Sequence, residues 1–437
     1  MPDYGQPRAK LGLLYPIEPL LTLQIDMRKY EIHTLKNGIR VVHNQVTSTK
    51  IVHCGIMLDV GSRDEDITNQ GIAHFWEHMA FKGTRKRKSF HILNRLESLG
   101  GELNAFTDKE KILFYASLRD EYFERAVELL ADITFDSIFP KEQIEKERHV
   151  ILEEMAMYYD DPEDSLQDEF DATIFSGHSL GMNILGSQKT VKGFKRSDFT
   201  SFVKKHLDTR KIVFSSVGNV SMEEVVQLAE KHLGHVPASK SLVKRKKFSG
   251  YKPNEVVLTR DVKQARCAIG RESYKLSDEK RSPFYMLTSI LGGSGMNSRL
   301  NLALREKYGF VYSIGSHFIP FTDTGLFVIS FGTDPSQLKR SIELIKVELK
   351  KLCDQPLGVK QLASGKEQLL GHLAMAQESN ISYMMMMARN LLDLRTVLSF
   401  EEIQDRVRNT TSATLQELAN EMFDQKKLSY LMMVPKQ

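Results

Sequence analysis

"AHFWEHMAFKGT", Ala73 to Thr84, puts two histidines and a glutamate within five residues. The stretch before it, "IVHCGIMLDVGS" from Ile51, is β-branched and alternating, as a strand is. "GIAHFWEHMAF" then changes to helical spacing, so a strand hands over to a helix. On that helix His74, Glu77 and His78 stand at i, i+3 and i+4 and project from one face.

Outward from this point the chain reads as strands, then helices, then strands again. "YEIHTLKNGIRVVHNQ" holds two strand-like runs around Asn37-Gly38, a strong hairpin signal. Met27, in "MRKYEIHTL", opens the first strand in this reading. "SFHILNRLESLG" is a second amphipathic helix ending at Gly100-Gly101. "ELNAFTDKEKILFYASLR" returns to alternation, with Ile112, Phe114 and Ala116 on one face. Two long helices come next, "YFERAVELLADIT" and "KEQIEKERHVILEEMAMYY", the latter broken before Pro162. "KIVFSSVGNV" closes the unit with a strand. Pro237 to Pro253 is polar and turn-rich, and its basic run Lys244 to Lys247 reads as solvated linker rather than as an anion site.

Beyond the linker the order repeats. "ARCAIGRESY" is a strand, "PFYMLTSILGG" and "SRLNLALREKYG" are helices, and "FVYSIGSHF" and "GLFVISFGT" are alternating strands. "SQLKRSIELIKVELKKL" is a long helix in the place of "YFERAVELLADI". This is an internal duplication with a period of about 200 residues. The expected fold is α+β, with two homologous domains, each an antiparallel-rich β-sheet covered by helices. Its parts are an N-terminal extension (1–26), a first domain (27–237), a linker (238–253) and a second domain (254–437). Met384 to Met387, four in a row on a helix, read as adaptable core packing. Where the first copy has "HFWEH" the second has "PFYMLTS", without a ligand-capable residue, so packing alone does not call for the histidines.

The 437 residues exceed one ordinary core, and 41% hydrophobic with 27% charged residues is a soluble globular composition. A net charge of +4 gives no case for nucleic acid or an acidic membrane surface. Three scattered cysteines, Cys54, Cys267 and Cys353, argue against a disulfide framework and suit a reducing compartment. No run reaches the roughly 20 apolar residues of a membrane span, and the apolar N-terminal stretch is interrupted by Pro16, Glu18 and Pro19 without a cleavage pattern. Cytoplasmic is the default expectation.

Two imidazoles one helical turn apart can take adjacent corners of a tetrahedron around Zn²⁺. Glu77 then stands beside the metal without binding it, the general-base place in zinc hydrolases, where bound water has its pKa lowered towards about 7. H-x-x-E-H is the inverse of H-E-x-x-H. A third ligand is available on "EKERHVILEEMAM", where Glu147 and Glu154 lie two turns apart on one face. Two inward carboxylates facing a dihistidine pair need a cation. Glu154 would bind it and Glu147 would orient a ligand or the base. Glu142, Glu145 and Glu153 share this helix, so an acidic solvent-facing helix fits the same spacing.

"HFWEHMAFKGT", "ERHVILEEM" and a glutamate 76 positions after His78 (154 − 78) resemble the pitrilysin/insulinase family of zinc peptidases, and within it the mitochondrial processing peptidase-like branch. The resemblance runs from about Tyr30 to the C-terminus and includes "VGSRDE", "LESLGGELNAFT", "DDPED" and "GHSLGMNILG". It implies one zinc per chain held by His74, His78 and Glu154, with Glu77 as base and Glu147 as supporting carboxylate. It also implies that Asn104 and Ala105 of "LNAFT" hold the substrate backbone by strand addition. "LREKYGFVYS" matches the family's arginine–tyrosine pair, here Arg305 and Tyr312, which would hydrogen-bond the substrate carbonyl and stabilise the oxyanion. Without the resemblance these two read as a surface arginine and a core tyrosine. In this branch the motifs are often divided between two chains. This chain has both, which implies a symmetric homodimer whose chamber admits peptides and unfolded segments.

The expectation is therefore a zinc endopeptidase. The other class of reading is a non-catalytic structural or chaperone-like subunit of the same fold; a lost ligand would favour it, and none is lost. Asp164 and Asp168, with Asp160, Asp161 and Glu163, come after the helix of Glu154, where processing peptidases read arginine near the cut. A bias towards basic residues and a plain solvated acidic turn fit them equally.

Overall fold

The computed structural model describes residues 30–436. The N-terminal extension and the proposed strand start at Met27 lie outside the described residues. Eleven strands among the described residues form two sheets. The first holds β1 (Tyr30–Thr34), β2 (Arg40–Gln45), β3 (Ile51–Leu58), β4 (Glu102–Thr107), β5 (Ile112–Arg119) and β6 (Ile212–Gly218) in the order β1-β2-β6-β3-β5-β4. The second holds β7 (Glu255–Arg260), β8 (Ala265–Ser273), β9 (Val311–Pro320), β10 (Gly325–Thr333) and β11 (Ser429–Pro435) in the order β7-β11-β8-β10-β9.

The two orders are the same once β1 is set aside. In each sheet the first and last strands of the unit run parallel, β2 with β6 and β7 with β11, and the other pairs are antiparallel. The internal duplication is thus present strand by strand. The helix Ile72–Ala80 corresponds to Arg281–Gly292, each placed between the second and third strands of its unit. β4, the edge strand of the first sheet, corresponds to β9, the edge strand of the second.

β3, β5 and β6 are buried on both faces, which is why they read as apolar runs as much as alternations. Val52, Cys54, Ile56 and Leu58 of β3 face the helices of their own half. Met57, with Leu113, Val213 and Val217, faces the opposite way, onto Tyr383, Met384, Met387 and Leu391 of the helix Asn380–Leu394. That helix belongs to the second half. The exchange is reciprocal: Leu166, Phe170 and Ile174 of the helix Pro162–Ile174 pack on Ala268, Val328, Leu431 and Met433 of the second sheet. With each such side chain contributing roughly 1.5–3 kcal/mol on burial, the two helices bind the halves into one body. Met384 and Met387 are the core packing the sequence implies.

Two expectations change. The 238–253 segment has no helix or strand, and Lys244, Lys246 and Lys247 of its basic run are exposed as a solvated linker's would be, but Arg245 is not. Arg245 inserts between Asp59, Asp64 and Glu110, donating to Asp64 at 2.8 and 2.9 Å and to Asp59 Oδ1 at 2.8 Å. The Lys246 carbonyl accepts from Arg63. Three inward carboxylates of the first half need that cation, a demand that sequence spacing does not reveal. The second difference concerns "SRLNLALREKYG", whose six residues Asn301–Glu306 are wound as a π-helix. Such turns are rare and are frequently found at functional sites.

Candidate metal centre

The helix Ile72–Ala80 forms because Ile72, Phe75, Trp76, Met79 and Ala80 recur at three- and four-residue spacing and are all buried. Its start is fixed from two sides. Glu65 accepts hydrogen bonds from the backbone N–H groups of Gly71 (2.8 Å) and Ala73 (2.7 Å). Gly71 and Gly186 stand face to face at φ +92° and +87°, and a Cβ on Gly71 would lie 2.5 Å from the Leu185 carbonyl oxygen. Only glycine permits both that conformation and that approach. The contact binds the loop Asn183–Gly186 to the helix that carries the histidines.

The remaining face presents His74, Glu77 and His78 to the helix Lys141–Asp160. His74 Nε2 lies 3.7 Å from Glu154 Oε1, and His78 Nε2 lies 3.5 Å from Glu154 Oε2. Ligand atoms of these three residues all fall within 4.8 Å of one another. Bonds of about 2.0–2.2 Å to a tetrahedral zinc would place donor atoms roughly 3.4 Å apart, so the observed separations suit such an ion. Glu154 Oε2 is buried and has no hydrogen-bond partner, as a carboxylate reserved for a cation would be. Two imidazoles and one carboxylate are also the donor set of zinc sites that keep a position open. The residues fit zinc.

Around this trio the electrostatics are graded. Burial and the neighbouring His78 push His74 down to about 3, which keeps its imidazole neutral. Burial raises the Glu154 carboxyl against the pull of His78. Glu147 is buried, and burial alone would raise it, but hydrogen bonds from His78 and Lys82 outweigh that and hold it below the usual carboxylate range. His78 Nδ1 donates to Glu147 Oε2 at 3.1 Å, which leaves Nε2 for the metal side. Lys82 Nζ pairs with the other oxygen of Glu147 at 2.7 Å. Glu77 is raised by burial, opposed by a hydrogen bond from Thr107 Oγ1 at 2.6 Å and by His78.

A pocket of about 350 Å³ opens beside the trio, lined by His74, Glu77, Glu154, Ala105, Thr107 and Tyr158 among others. Asp164 and Asp168 lie on its wall, and burial pushes Asp168 up to about 6. Ala105 lines the pocket. Asn104 is exposed on the same edge strand, its Oδ1 accepting from the Ala105 N–H at 2.8 Å. Arg305 and Tyr312 are not among the pocket's lining residues. They stack on each other, guanidinium to ring centroid 5.5 Å, and Tyr312 is 83% exposed at the start of β9. The structure thus gathers His74, Glu77, His78, Glu147, Glu154 and Ala105 and leaves Arg305 and Tyr312 elsewhere. Sequence reasoning does not single out Thr107, Lys82 or Glu65 as site residues. All three lie inside recognised motifs, but their partners are 30, 65 and 6 or 8 positions away.

Among known proteins, the family model described as insulinase (peptidase family M16) matches residues 40–188, and that described as the peptidase M16 inactive domain matches residues 193–369. An uncharacterized zinc protease of Rickettsia bellii is 32% identical over 395 residues, covering 90% of this chain and 95% of its own. The uncharacterized zinc protease YmxG of Bacillus subtilis is 31% identical over 391 residues, again covering 90% and 95%. The crystal structure of a protease from Helicobacter pylori matches with a TM-score of 0.87 at 22% identity, covering 94% of this chain and 100% of that one. A solved M16 inactive domain from Pseudomonas fluorescens also gives 0.87, at 17% identity, covering 93% of this chain and 98% of that one. Both structures share the fold. The match to the domain described as inactive begins in the last part of the first half and includes the helix Arg281–Gly292, which lacks the histidines.

Proposed function

The chain belongs to the insulinase (M16) peptidase family, and from that premise we propose that it is a zinc-dependent endopeptidase cutting peptides or unstructured polypeptide segments. The observation that carries the proposal is the convergence of His74, His78 and Glu154 on one point, with Glu77 beside it and an open pocket in front. His74, His78 and Glu154 would hold one zinc ion. When bound, zinc supplies Lewis-acid activation of water at neutral pH. Glu77 takes the proton from the attacking water and delivers it to the leaving amine. Glu147 holds His78 in the tautomer that offers Nε2 to the metal.

The substrate adds to the free edge of β4 as an extended strand, with Asn104 and Ala105 engaging its backbone beside the scissile bond. Asp164 and Asp168 on the pocket wall favour basic residues close to the cut. A peptide-library digest without basic enrichment would remove that preference. Arg305 and Tyr312 stabilise the oxyanion, and their place outside the pocket supports their acting on a partner's zinc site in a homodimer that encloses a chamber. One observation favours a second reading of this pair. A further pocket, of about 340 Å³, shares Asp164 and Gln167 with the first and reaches Ser313–Gly315, next to Tyr312, which would suit service to its own chain. We place the protein in a reducing, cytoplasmic compartment on its free cysteines, Cys54, Cys267 and Cys353; no helix among the described residues is long and apolar enough to cross a membrane.

The test is cleavage of a quenched fluorescent peptide by the purified chain. Activity lost on chelation and restored by zinc supports the peptidase. Inactivity of the zinc-loaded chain towards a broad peptide set would support the non-catalytic subunit instead.

A further inference from the structure

A carboxylate that must take a proton and return it needs a fixed orientation, and a glutamate has three rotatable bonds to fix. Glu77 is held at its Oε2 by the Thr107 hydroxyl, 2.6 Å away. Thr107 is the last residue of β4. As the edge of its sheet, β4 has one neighbouring strand, β5, so pairing alone defines its position less firmly than that of an inner strand.

The turn between β4 and β5 supplies the missing restraint. It is Asp108-Lys109-Glu110-Lys111, four charged residues of the kind that usually cap an exposed hairpin. Here Lys109, Glu110 and Lys111 are buried, and all four side chains are engaged at a distance. Asp108 accepts from Arg389 at 2.6 Å. Lys109 donates to the Met182 carbonyl at 2.7 Å and pairs with Asp171 at 3.2 Å. Glu110 accepts from Arg63 and from the Thr322 hydroxyl, the latter at 2.6 Å. Lys111, its side chain wholly buried, sits between Asp59 at 2.8 Å and Asp393 at 2.7 Å. Thr322, Arg389 and Asp393 all belong to the second half of the chain.

We propose that Thr107 is a positioning residue for the Glu77 carboxylate, and that the second half of the chain, by clamping the turn Asp108–Lys111, holds Thr107 in place. The half without ligands then supports the chemistry within its own chain, apart from anything Arg305 and Tyr312 do. Because substrate would add to β4, the strand that receives the peptide is also the strand that aims the base. This inference rests on the reading of Glu77 as the base.

The experiment compares wild type, Glu77→Gln, Thr107→Val and Thr107→Ser on one peptide, with bound zinc measured by elemental analysis. Valine keeps the shape of threonine and lacks the hydroxyl. Thr107→Val should keep its zinc and its KM within about twofold while kcat falls about 10- to 100-fold, and Thr107→Ser should return to within about threefold of wild type. A Thr107→Val kcat within twofold of wild type, or a serine variant as slow as valine, overturns the proposal. Loss of zinc in Thr107→Val also overturns it, because the role would then be structural. Arg389→Gln, which removes the ion pair to Asp108, tests the clamp and serves if Thr107→Val does not fold. Its kcat should fall about 3- to 10-fold at constant KM, and an unchanged kcat contradicts the clamp. An inactive wild type would instead count against the peptidase reading itself, and an active Glu77→Gln against the reading of Glu77 as the base.

Discussion

Glu147→Gln is a small change with a large expected effect on metal affinity. In the wild type one oxygen of Glu147 accepts from His78 Nδ1 at 3.1 Å and the other meets the Lys82 ammonium at 2.7 Å. Both neighbours are donors, and an amide has only one acceptor oxygen. Turned towards His78, the new amide presents its NH₂ to Lys82. Turned towards Lys82, it presents NH₂ to the imidazole and drives His78 to the tautomer whose Nε2 carries the proton. With Glu147 only 6% exposed, water cannot readily relieve either conflict. Loss of such a partner to a ligating histidine costs about 10- to 100-fold in metal affinity, or about 1.4–2.7 kcal/mol. Competition titration of zinc against a chelator of known affinity measures this directly. Adding Lys82→Met removes one of the two donors, so the double variant should recover part of the loss, a positive coupling between the two positions. Zinc affinity in Glu147→Gln within twofold of wild type would refute the role given to this carboxylate.

Mixing Glu77→Gln chains with Arg305→Ala chains should restore activity to as much as about a quarter of wild type if the arginine–tyrosine pair serves a partner's zinc site, and no recovery despite proven subunit exchange would point to service within one chain. Burial pushes the Glu65 carboxyl up to about 8, above the roughly 4.3 of an unfolded chain, so the folded state holds its proton more tightly. Its stabilising contribution is complete below about pH 4 and is lost as the pH rises to 8, by roughly 1.4 kcal/mol per unit. The thermal midpoint of wild type should therefore fall relative to that of Glu65→Gln between pH 5 and about 8, and parallel curves would contradict the assignment.

The legible features were those set by local spacing. His74, Glu77 and His78 share a helix face because of their i, i+3, i+4 order, and Glu147 and Glu154 share another because seven residues make about two turns. The duplication was legible because element order repeats, and β2 to β6 match β7 to β11 in order and direction. What was hidden depends on partners far along the chain. The basic run Lys244 to Lys247 has the composition of a solvated linker, and only the approach of Asp59, Asp64 and Glu110 takes Arg245 out of solvent. The helix of Met384 was recognisable as packed, but not as packed on the sheet of the other half. "SRLNLALREKYG" has helical periodicity that does not distinguish α- from π-winding. Thr107 lay within a recognised motif, yet nothing in sequence indicates that its hydroxyl reaches Glu77.

The central claim is that Glu77 acts on a proton while Glu154 holds the metal, and zinc content and peptide turnover measured together on Glu77→Gln and Glu154→Gln test it most directly. The amide at position 77 keeps the shape and cannot accept a proton, so that variant should retain one zinc per chain and lose turnover by about 10²- to 10⁴-fold. The amide at position 154 is a poor zinc ligand, so that variant should lose its metal on dialysis. Zinc lost from Glu77→Gln, or kept at full occupancy in Glu154→Gln, would contradict the assignment of the two glutamates.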